Sequence, residues 1–546
     1  MRALDRVRRA AAAVTGMLDV KLEGGTVVDG TGRPGNRTDV GIRDERIAAV
    51  GDLSRESAGR VVNVSGRVVA PGFIDMHSHS DWRLWGNRRA ESKIRQGVTT
   101  EVVGNCGFSP APTSTEFLDE MRTFALYVPT GMDFAWRSVG EYLRAFDRDG
   151  TALNVVQLVG HGTLRVAAMG FARRPPTAAE LATMQRLMSD AMNDGAWGLS
   201  TGLIYAPGSF ATTDEIVAIA RAAARYRGFY ASHIRGEGAT LLEAVREAIQ
   251  VGREGQLPVQ ISHVKAAGRP HWGKVAEALA LIDAARAEGL DVMGDVYPYT
   301  ASSTSLRTAL PDWALEGGVS AMLERLQSSD ARERIRTDMQ RPGGHSIVDR
   351  MGWDNVMIAW CPRRRDAEGR RIAEIARARG LDPIDAVFEL LQDAQGVASM
   401  ILFQLDEADV RRALVHPAIM IGSDGSSLAT TGEMSAGKPH PRSYGTFPRV
   451  LGRYARDERV LSLPEAVHKM TGLPARRLGL RDRGVIRDGA RADVVVFDPR
   501  RIADQATYED PHRYPVGVEH VLVNGRFVIK DGEHTGSLPG RVLTPP

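Results

Sequence analysis

Residues 72–81 read GFIDMHSHSD, and this stretch starts as a buried strand does. Phe73 and Met76 are apolar, and the run then places His77 and His79 one residue apart. Because residues i and i+2 of a strand point to the same face of the sheet, the two imidazoles are predicted to project side by side. A hydrophobic strand that ends in two parallel imidazoles indicates a polar site at its carboxyl end.

The middle of the chain repeats this pattern of short apolar runs separated by helical stretches. Predicted helices include Ala178–Asn193, Asp214–Tyr226 and Thr240–Gly252, and such alternation is typical of βα units and a parallel sheet. Eight strands is the number that closes a (β/α)8 TIM-like barrel. The eight predicted strands are Phe73–His79, Thr99–Cys106, Asn154–His161, Gly195–Thr201, Phe229–Arg235, Pro258–Lys265, Asp291–Tyr297 and Ala418–Asp424.

The two ends of the chain have a different sequence pattern from the middle. Residues 17–70 and 476–546 alternate short apolar runs with glycine-rich turns, which predicts one small β-sandwich domain built from both chain ends. The barrel is predicted over 71–475. An insertion at about 301–418 separates the seventh and eighth strands and is too long for a loop, so we expect a lid subdomain over the barrel mouth. Residues 1–16 are predicted to be a leader outside the fold.

The composition excludes several classes of function. The chain is 43% hydrophobic and 25% charged, with a net charge of +3 and no long basic block, so we expect no nucleic acid partner. No run approaches the ~20 apolar residues that span a bilayer, so we expect no membrane partner. Its two cysteines do not form a disulfide framework. We expect a cytoplasmic protein that is a monomer or a small homo-oligomer.

Residues of metal-binding types occur at five of the predicted strand ends. Each alone has an ordinary structural interpretation, such as a solvated histidine or a small buried cysteine. The carboxyl ends of barrel strands meet at one rim, however, and thiolate and imidazole together suit Zn²⁺. The joint pattern therefore predicts a metal site, with candidate ligands His77, His79, Cys106, His233, His263 and Asp424.

Several of these stretches also carry a family resemblance, which covers about residues 18–535. The chain resembles the amidohydrolase superfamily, and within it the N-acyl-D-amino-acid deacylases (D-aminoacylases). The resemblance implies a (β/α)8 barrel, a β-sandwich made from both termini and an insertion that covers the site. The motifs that carry it are GFIDMHSHSD, GNCGFSPAP, GHGTLR, GLSTGLIYAPG, SHIRGE, ISHVKAAG, DVYPYTASS, IGSDG and HPRSYGTFPRVLG.

The resemblance also implies how the metal ligands divide. One tightly held zinc is expected on Cys106, His233 and His263, and a second, weaker metal position on His77, His79 and Asp424. The implied reaction is hydrolysis of the amide bond of an N-acyl-D-amino acid to a carboxylate and a free D-amino acid. A metal-activated hydroxide attacks the amide, and Asp424 acts as general base and then as general acid toward the departing amine.

An N-acyl amino acid is an anion, so the site must offer positive charge to this small-molecule substrate. Lys265 lies two residues after His263, on the same predicted strand face, and Arg442 can present a planar fork to a carboxylate. The resemblance adds Tyr297 and Ser302 to this clamp. The sequence leaves the roles of two histidines undecided. His161 contacts the substrate or its oxyanion, or it satisfies the backbone of a loop. His440 lies either near the site or in solvent.

Two alternatives remain for the function. A cyclic amidase of the hydantoin or dihydroorotate type bridges two metals with a carboxylated lysine on strand four, but residues 195–202 read GAWGLSTG and contain no lysine. Cys106 could take the bridging position instead. A non-enzymatic barrel scaffold should show gaps in the ligand set, whereas this chain has all six candidate ligands. A metal-dependent hydrolase of linear amide C–N bonds is the favoured prediction.

Overall fold

The computed structural model describes residues 16–125, 127–341 and 351–546. The predicted leader therefore lies, except for its last residue, outside the described part of the chain. The described residues form a mixed α/β fold with several sheets. Among them, no helix combines the length and apolar character that crossing a membrane requires.

Two parallel sheets contain the strands predicted for the middle of the chain. The third predicted strand is divided at Leu158, so one sheet ends and the other begins there. In spatial order, the first sheet contains Phe73–Asp75, Val98–Val103 and Asn154–Gln157. The second contains Val159–Gly160, Gly198–Gly202, Phe229–His233, Val259–Ile261, Val292–Val296 and Ile419–Ile421.

Hydrogen bonds join the two parallel sheets at both of their edges. At one edge, the amide N of Asp424 donates to the carbonyl O of His77 at 2.8 Å. At the other, the amide N of Trp197 donates to the carbonyl O of Gln157 at 2.8 Å. The carboxyl ends of the strands in both sheets therefore face one common space.

Several strands end earlier than the sequence predicts. The first strand ends at Asp75, so His77 and His79 follow the strand and their direction is not set by strand alternation, which corrects the prediction. The third predicted strand stops at Gly160, and His161 begins the helix His161–Met169 instead. Lys265 likewise lies beyond its strand. The chain turns at these points because the polar side chains bond to groups of neighbouring strand ends, as described below.

Helices alternate with these strands, and local capping explains where several begin. The helix Ala178–Asn193 has its predicted bounds, since Thr177 and Glu180 form a capping box at its start. The α-helices of the described residues are Arg83–Gly86, Glu91–Ile94, Leu118–Phe124, Val139–Asp149, His161–Met169, Ala178–Asn193, Thr213–Ala224, Leu241–Gly255, Val275–Ala287, Gly318–Gln327, Ser329–Gln340, Ile372–Arg379, Pro383–Asp393, Glu407–Val415, Arg442–Arg449, Leu463–Met470 and Gly472–Arg477, and Val450–Asp457 is a π-helix.

Both ends of the chain contribute to a separate nine-stranded sheet. Val494–Phe497 pairs antiparallel with Val68–Pro71, which joins the C-terminal strands to the N-terminal ones. Its inner face has its own apolar cluster, including Leu22, Ile42 and Leu522. In spatial order the strands are Glu533–His534, Arg526–Lys530, Val518–Val523, Val494–Phe497, Val68–Pro71, Leu18–Val27, Asn36–Arg43 and Arg46–Gly51, with Ala58–Asn63 beside Leu18–Val27.

The long segment between Val292–Val296 and Ile419–Ile421 forms structure of its own. These two flanking strands are parallel neighbours in one sheet, so the segment leaves the sheet and returns beside its starting point. Its antiparallel sheet has the order Ser302–Ser305, Ser399–Leu402, Val356–Trp360.

Candidate metal centre

Four buried side chains bring their donor atoms together at the carboxyl ends of the strands. His77, Cys106, His263 and Asp424 form this donor cluster, with one donor atom from each lying within 4.8 Å of the others. Cys106 Sγ is 3.2 Å from His77 Nε2 and 3.6 Å from His263 Nε2. Metal bonds of about 2.0–2.3 Å in a tetrahedron place the ligand atoms about 3.3–3.8 Å apart. The spacing of the donor cluster therefore suits one zinc-sized ion.

Three members of the donor cluster have an unusual backbone conformation. The φ angles of Cys106, His263 and Asp424 are +53°, +35° and +50°. Residues with a Cβ rarely adopt these left-handed values, and the conformation persists only where surrounding contacts impose it. Such strain at three donors in one cluster indicates that the fold holds them for a function.

The remaining two candidate ligands lie beside the donor cluster. His79 Nε2 is 3.0 Å from Asp424 Oδ1. His233 forms a second group of donor atoms with His263 and Glu237, and its ring centroid is 4.4 Å from that of His263. His233 is buried, yet neither of its ring nitrogens has a hydrogen-bond partner among the described residues. Its nearest acidic group is Glu237 Oε1, 3.7 Å from Nε2, and a buried imidazole without a hydrogen bond has the lone pair that a metal ligand needs.

The electrostatics of the site favour the ligand forms of Cys106, Asp424 and His233. Burial raises the pKa of the Cys106 thiol, but the His77 and His79 imidazoles outweigh burial and hold it well below its ordinary value. Burial lowers the pKa of His233, which favours the neutral ring. Burial raises the pKa of Asp424, but the charges of Arg442 and the neighbouring imidazoles outweigh it and hold that pKa far below its usual range. For the other imidazoles burial lowers the pKa, but the neighbouring thiolate and carboxylates outweigh burial; they raise the pKa of His79 to about 9 and the pKa values of His77 and His263 above their ordinary value. Thiolate, neutral imidazole and carboxylate are the protonation states that bind a metal, so metal binding would release protons from the imidazoles whose pKa is raised.

Two acidic residues at the site were not predicted from the sequence. Asp295 Oδ1 is 3.1 Å from His77 Nδ1 and accepts from the backbone N of His263 at 2.7 Å. Glu237 Oε1 is 3.1 Å from His263 Nδ1 and 2.5 Å from Lys265 Nζ. Such carboxylates orient ligating imidazoles. Asp295 begins the motif DVYPYTASS and Glu237 ends the motif SHIRGE, so their presence in these family motifs is the sequence signal that points to them.

A cavity of about 530 Å³ opens beside the donor cluster. On the side of the donor cluster, the cavity is lined by His263, Lys265, Ser302 and Asp424. Much of the remaining lining comes from the segment after Val292–Val296, where apolar side chains such as Leu310, Trp313 and Met339 alternate with polar ones such as Thr308 and Asp338. This volume accommodates a small organic molecule whose polar end faces the donors.

Two predicted substrate contacts lie directly behind this lining. Arg442 Nη1 is 2.8 Å from Asp424 Oδ2, and the guanidinium lies 4.8 Å from the centre of the Tyr297 ring. The Tyr297 hydroxyl is buried and has no hydrogen-bond partner among the described residues. His440 is buried, and its Nδ1 accepts from the backbone N of Arg442 at 3.0 Å. His440 therefore supports Arg442 and is not a solvated histidine.

The structure does not bring His161 to the cavity. Its Nε2 is 2.9 Å from Glu215 Oε1, and Arg165 pairs with the same carboxylate at 2.6 Å. All three side chains are buried. His161 thus belongs to a structural ion-pair network under the helix that it begins, and the predicted contact with substrate is wrong in this arrangement.

Comparison with known proteins identifies the family of this chain. The model of the Amidohydrolase family matches residues 60–529. This chain belongs to the amidohydrolase family. The family predicted from the motifs is thereby confirmed. Among curated family members, a D-aminoacylase of Alcaligenes xylosoxydans xylosoxydans is 41% identical over 532 residues, which cover 96% of this chain and 97% of that protein.

Solved structures of family members share the fold over nearly the full length. A D-aminoacylase with a binuclear metal centre superposes with a TM-score of 0.81 at 41% identity, covering 96% of this chain and 100% of that one. An N-acyl-D-glutamate deacylase of Bordetella bronchiseptica, complexed with zinc and a phosphonate mimic of the tetrahedral intermediate, gives 0.81 at 38% identity, covering 97% of this chain and 100% of that one.

Proposed function

We propose that this protein is a zinc-dependent deacylase that hydrolyses the amide bond of N-acyl-D-amino acids. The observation that carries this proposal is the buried cluster of one thiol, two imidazoles and one carboxylate at the edge of a 530 Å³ cavity. Relatives at about 40% identity are a D-aminoacylase and an N-acyl-D-glutamate deacylase. The products would be a carboxylate and a free D-amino acid.

We propose that the two parallel sheets together form one (β/α)8 barrel. Hydrogen bonds at both sheet edges support this. The nine-stranded sheet would belong to a β-sandwich domain formed by 17–70 and 476–546, and 71–475 would be the barrel domain. The insertion at about 301–418 would be the lid, since Leu310, Trp313 and Met339 line the cavity.

The chain's own donors fit zinc. The tight ion would be held by Cys106, His233 and His263, since neither ring nitrogen of His233 makes a hydrogen bond among the described residues and the pKa of the thiol is lowered. A weaker position would use His77, His79 and Asp424, which the contacts of 3.5 and 3.0 Å at Asp424 Oδ1 support. A bound Zn²⁺ supplies Lewis acidity for the amide carbonyl and for the attacking water.

Asp424 would carry the proton through the reaction. Its carboxylate lines the cavity and is only 7% exposed, so it faces the amide in a site that excludes most water. It would take a proton from the attacking water and deliver it to the departing amine nitrogen. A group in this role must hold its direction closely, because small displacements of catalytic groups cost large factors in rate.

Lys265 and Arg442 would bind the carboxylate of the substrate. In the structure each already contacts a carboxylate, Glu237 at 2.5 Å and Asp424 at 2.8 Å. A substrate carboxylate would therefore exchange with these side chains, and the free Tyr297 hydroxyl and Ser302 would complete the clamp. Fixing the carboxylate, the amide and the metal defines three points around the α-carbon, so that only one enantiomer, by family resemblance the D form, presents its carbonyl.

Hydrolysis assays on the purified, zinc-loaded protein test this function. N-acetyl-D-amino acids should be cleaved and their L enantiomers should not, with zinc content measured on the same sample. A panel of neutral and acidic side chains would define the preferred substrate. Equal rates for D and L substrates would contradict the clamp, and no cleavage of any D substrate by zinc-loaded protein would contradict the function.

The cyclic amidase alternative has weaker support. The strand Gly198–Gly202 contains no lysine that could be carboxylated. Hydantoin and dihydroorotate should accordingly be poor substrates in the same assay.

A further inference from the structure

One buried lysine lies directly beneath the donor cluster without touching the cavity. Lys93 is fully buried. Its Nζ is 2.5 Å from Asp75 Oδ2 and 3.0 Å from Glu101 Oε1. It also donates to Ser423 Oγ at 2.6 Å and to the carbonyl O of Gly425 at 3.4 Å. The ammonium thus contacts the residues on both sides of Asp424.

Asp75 extends this network to the other side of the site. Its Oδ1 accepts from the backbone N of Ser423 at 2.8 Å and from the backbone N of His77 at 3.3 Å. Ser423 Oγ donates to Asp75 Oδ2 at 2.6 Å. The first and eighth strand ends, which supply His77 and Asp424 to the donor cluster, are therefore joined through one lysine and one carboxylate.

The residue between the two Lys93 contacts, Asp424, is one of the three donors with a strained backbone. Asp424 has a φ of +50°, and Lys93 contacts the side chain before it and the carbonyl after it. A left-handed aspartate requires contacts that outweigh its intrinsic cost. The Ser423 hydroxyl that Lys93 contacts also accepts from the backbone N of Gly425 at 3.0 Å, so Lys93 acts on the peptide unit after Asp424 through Ser423. The peptide unit before Asp424 is held by its own amide N, which donates to the carbonyl O of His77 at 2.8 Å.

Stability alone does not account for this arrangement. One cation and two carboxylates are buried together, and apolar side chains of similar volume commonly give equal or greater stability at such positions. What apolar side chains cannot supply is a pair of directional contacts on the two sides of Asp424, to the Ser423 hydroxyl and to the Gly425 carbonyl.

We propose that Lys93 is a positioning residue, which sets the strained backbone of Ser423–Gly425 and so aims the Asp424 carboxylate at the metal and the amide. The inference rests on the proposed function. It predicts that weakening the Lys93 contact at Ser423 impairs the chemical step far more than substrate binding.

A matched pair of variants tests this. Ser423→Ala removes the hydroxyl that contacts Lys93. Ser427→Ala removes another fully buried hydroxyl, which donates to Glu101 Oε2 at 3.0 Å rather than to Lys93. We expect Ser423→Ala to lower kcat by about 10-fold or more, since misplacement of about 1 Å can cost 10²-fold, with KM changed less than about twofold. Ser427→Ala should leave kcat within about twofold.

A spectroscopic readout separates positioning from activity. In the Co²⁺-loaded proteins, the visible absorption should change in Ser423→Ala and stay like the parent in Ser427→Ala. This comparison holds even if the parent protein does not cleave N-acyl-D-amino acids, so the failure of the function and the failure of the positioning role are distinguishable. Equal kcat and equal spectra in the two variants would overturn the proposal.

A second variant covers the case in which Ser423→Ala does not fold. Lys93→Gln with Glu101→Gln removes one positive and one negative charge, so the net buried charge stays the same while the ammonium contact to Ser423 is lost. It should show the same loss of kcat and the same change in the Co²⁺ spectrum. If this double variant retains the parent kcat and spectrum, Lys93 does not position Asp424.

Discussion

The two ends of the strand Ile419–Ile421 are each held by a buried lysine, but in opposite ways. Beyond the carboxyl end, Lys93 has two carboxylate partners; burial lowers its pKa, but Asp75 and Glu101 outweigh burial and raise it. At the amino end, Lys469 donates only to the carbonyl oxygens of His416 and Ile419, at 2.5 and 2.8 Å. Burial lowers its pKa to about 8.

This difference indicates that the carboxyl end of the strand contributes to the active site and that the amino end has a structural role. The carboxyl end gathers charge, strained backbone and metal-binding side chains. At the amino end the described residues satisfy carbonyl groups, and none of the left-handed metal-ligand candidates lies there. Substitutions at the carboxyl ends should therefore alter metal binding and turnover, and those at the amino end should alter stability alone.

The largest effect is expected from Cys106→Ala, which removes the thiolate shared by the donors. Zinc content and activity should fall together, by more than the roughly 10- to 100-fold that loss of an outer partner of a ligand causes. Elemental analysis and kcat/KM measure this. Cys361→Ala, at the other buried cysteine, is the matched control and should keep both. Full zinc content and rate in Cys106→Ala would refute the assignment of the metal centre.

Asp424→Asn should have the next largest effect. The amide keeps the shape of the side chain but cannot accept the proton, so kcat should fall by at least about 10²-fold while the tight zinc stays bound. Steady-state kinetics with metal analysis checks this. A near-normal kcat at neutral pH would show that another group is the base.

Arg442→Met should act on binding more than on chemistry, although kcat should also fall because Arg442 pairs with Asp424 at 2.8 Å. Loss of a charge-assisted contact worth about 1.5–3 kcal/mol should raise KM by roughly 10-fold or more and lower kcat less. The methyl ester of the substrate should be poor with the parent and lose little further with the variant. An ester as good as the acid with the parent would argue against a carboxylate clamp.

The smallest effect is expected from Lys469 at the amino end. Its pKa is about 8 in the folded protein against 10.5 as the ordinary value, so between these values the unfolded chain binds the extra proton. The Lys469 contribution to the free energy of unfolding therefore rises as pH increases from about 8 to about 10.5. Chemical denaturation of the parent and of Lys469→Met across this range measures it. Parallel curves would contradict the shift, and a change in kcat would contradict the division between the two ends.

The sequence alone predicts much of the fold and the location of the site. Strand and helix positions follow from hydrophobic periodicity, and His77, Cys106, His263 and Asp424 stand out because their types are unusual at strand ends. The geometry around these residues depends on contacts between segments that are far apart in the chain, which hydrophobic periodicity within one segment does not reveal. Lys93 and Ser423 are 330 residues apart in the chain, and no sequence pattern around either residue predicts that the two side chains are in contact.

The errors have the same physical origin. Alternation places His77 and His79 on one strand face, but the strand ends at Asp75, whose carboxylate accepts from the backbone N of Ser423 and of His77. His161 reads as a polar strand end, whereas its partner Glu215 lies in another helix and draws it into a separate ion-pair network. Tertiary contacts decide both cases.

The shared nine-stranded sheet also has a consequence for biosynthesis. Val68–Pro71 acquires its partner Val494–Phe497 only after nearly all of the intervening chain has left the ribosome. The strand Asn154–Gln157 likewise waits for the segment around Leu543, whose backbone N donates to Val155 at 2.8 Å. Until then both strands have open edges, which are sites of misassociation between nascent chains. Nonsense mutations late in the gene should therefore yield aggregated protein, even though every metal-binding side chain has already been translated.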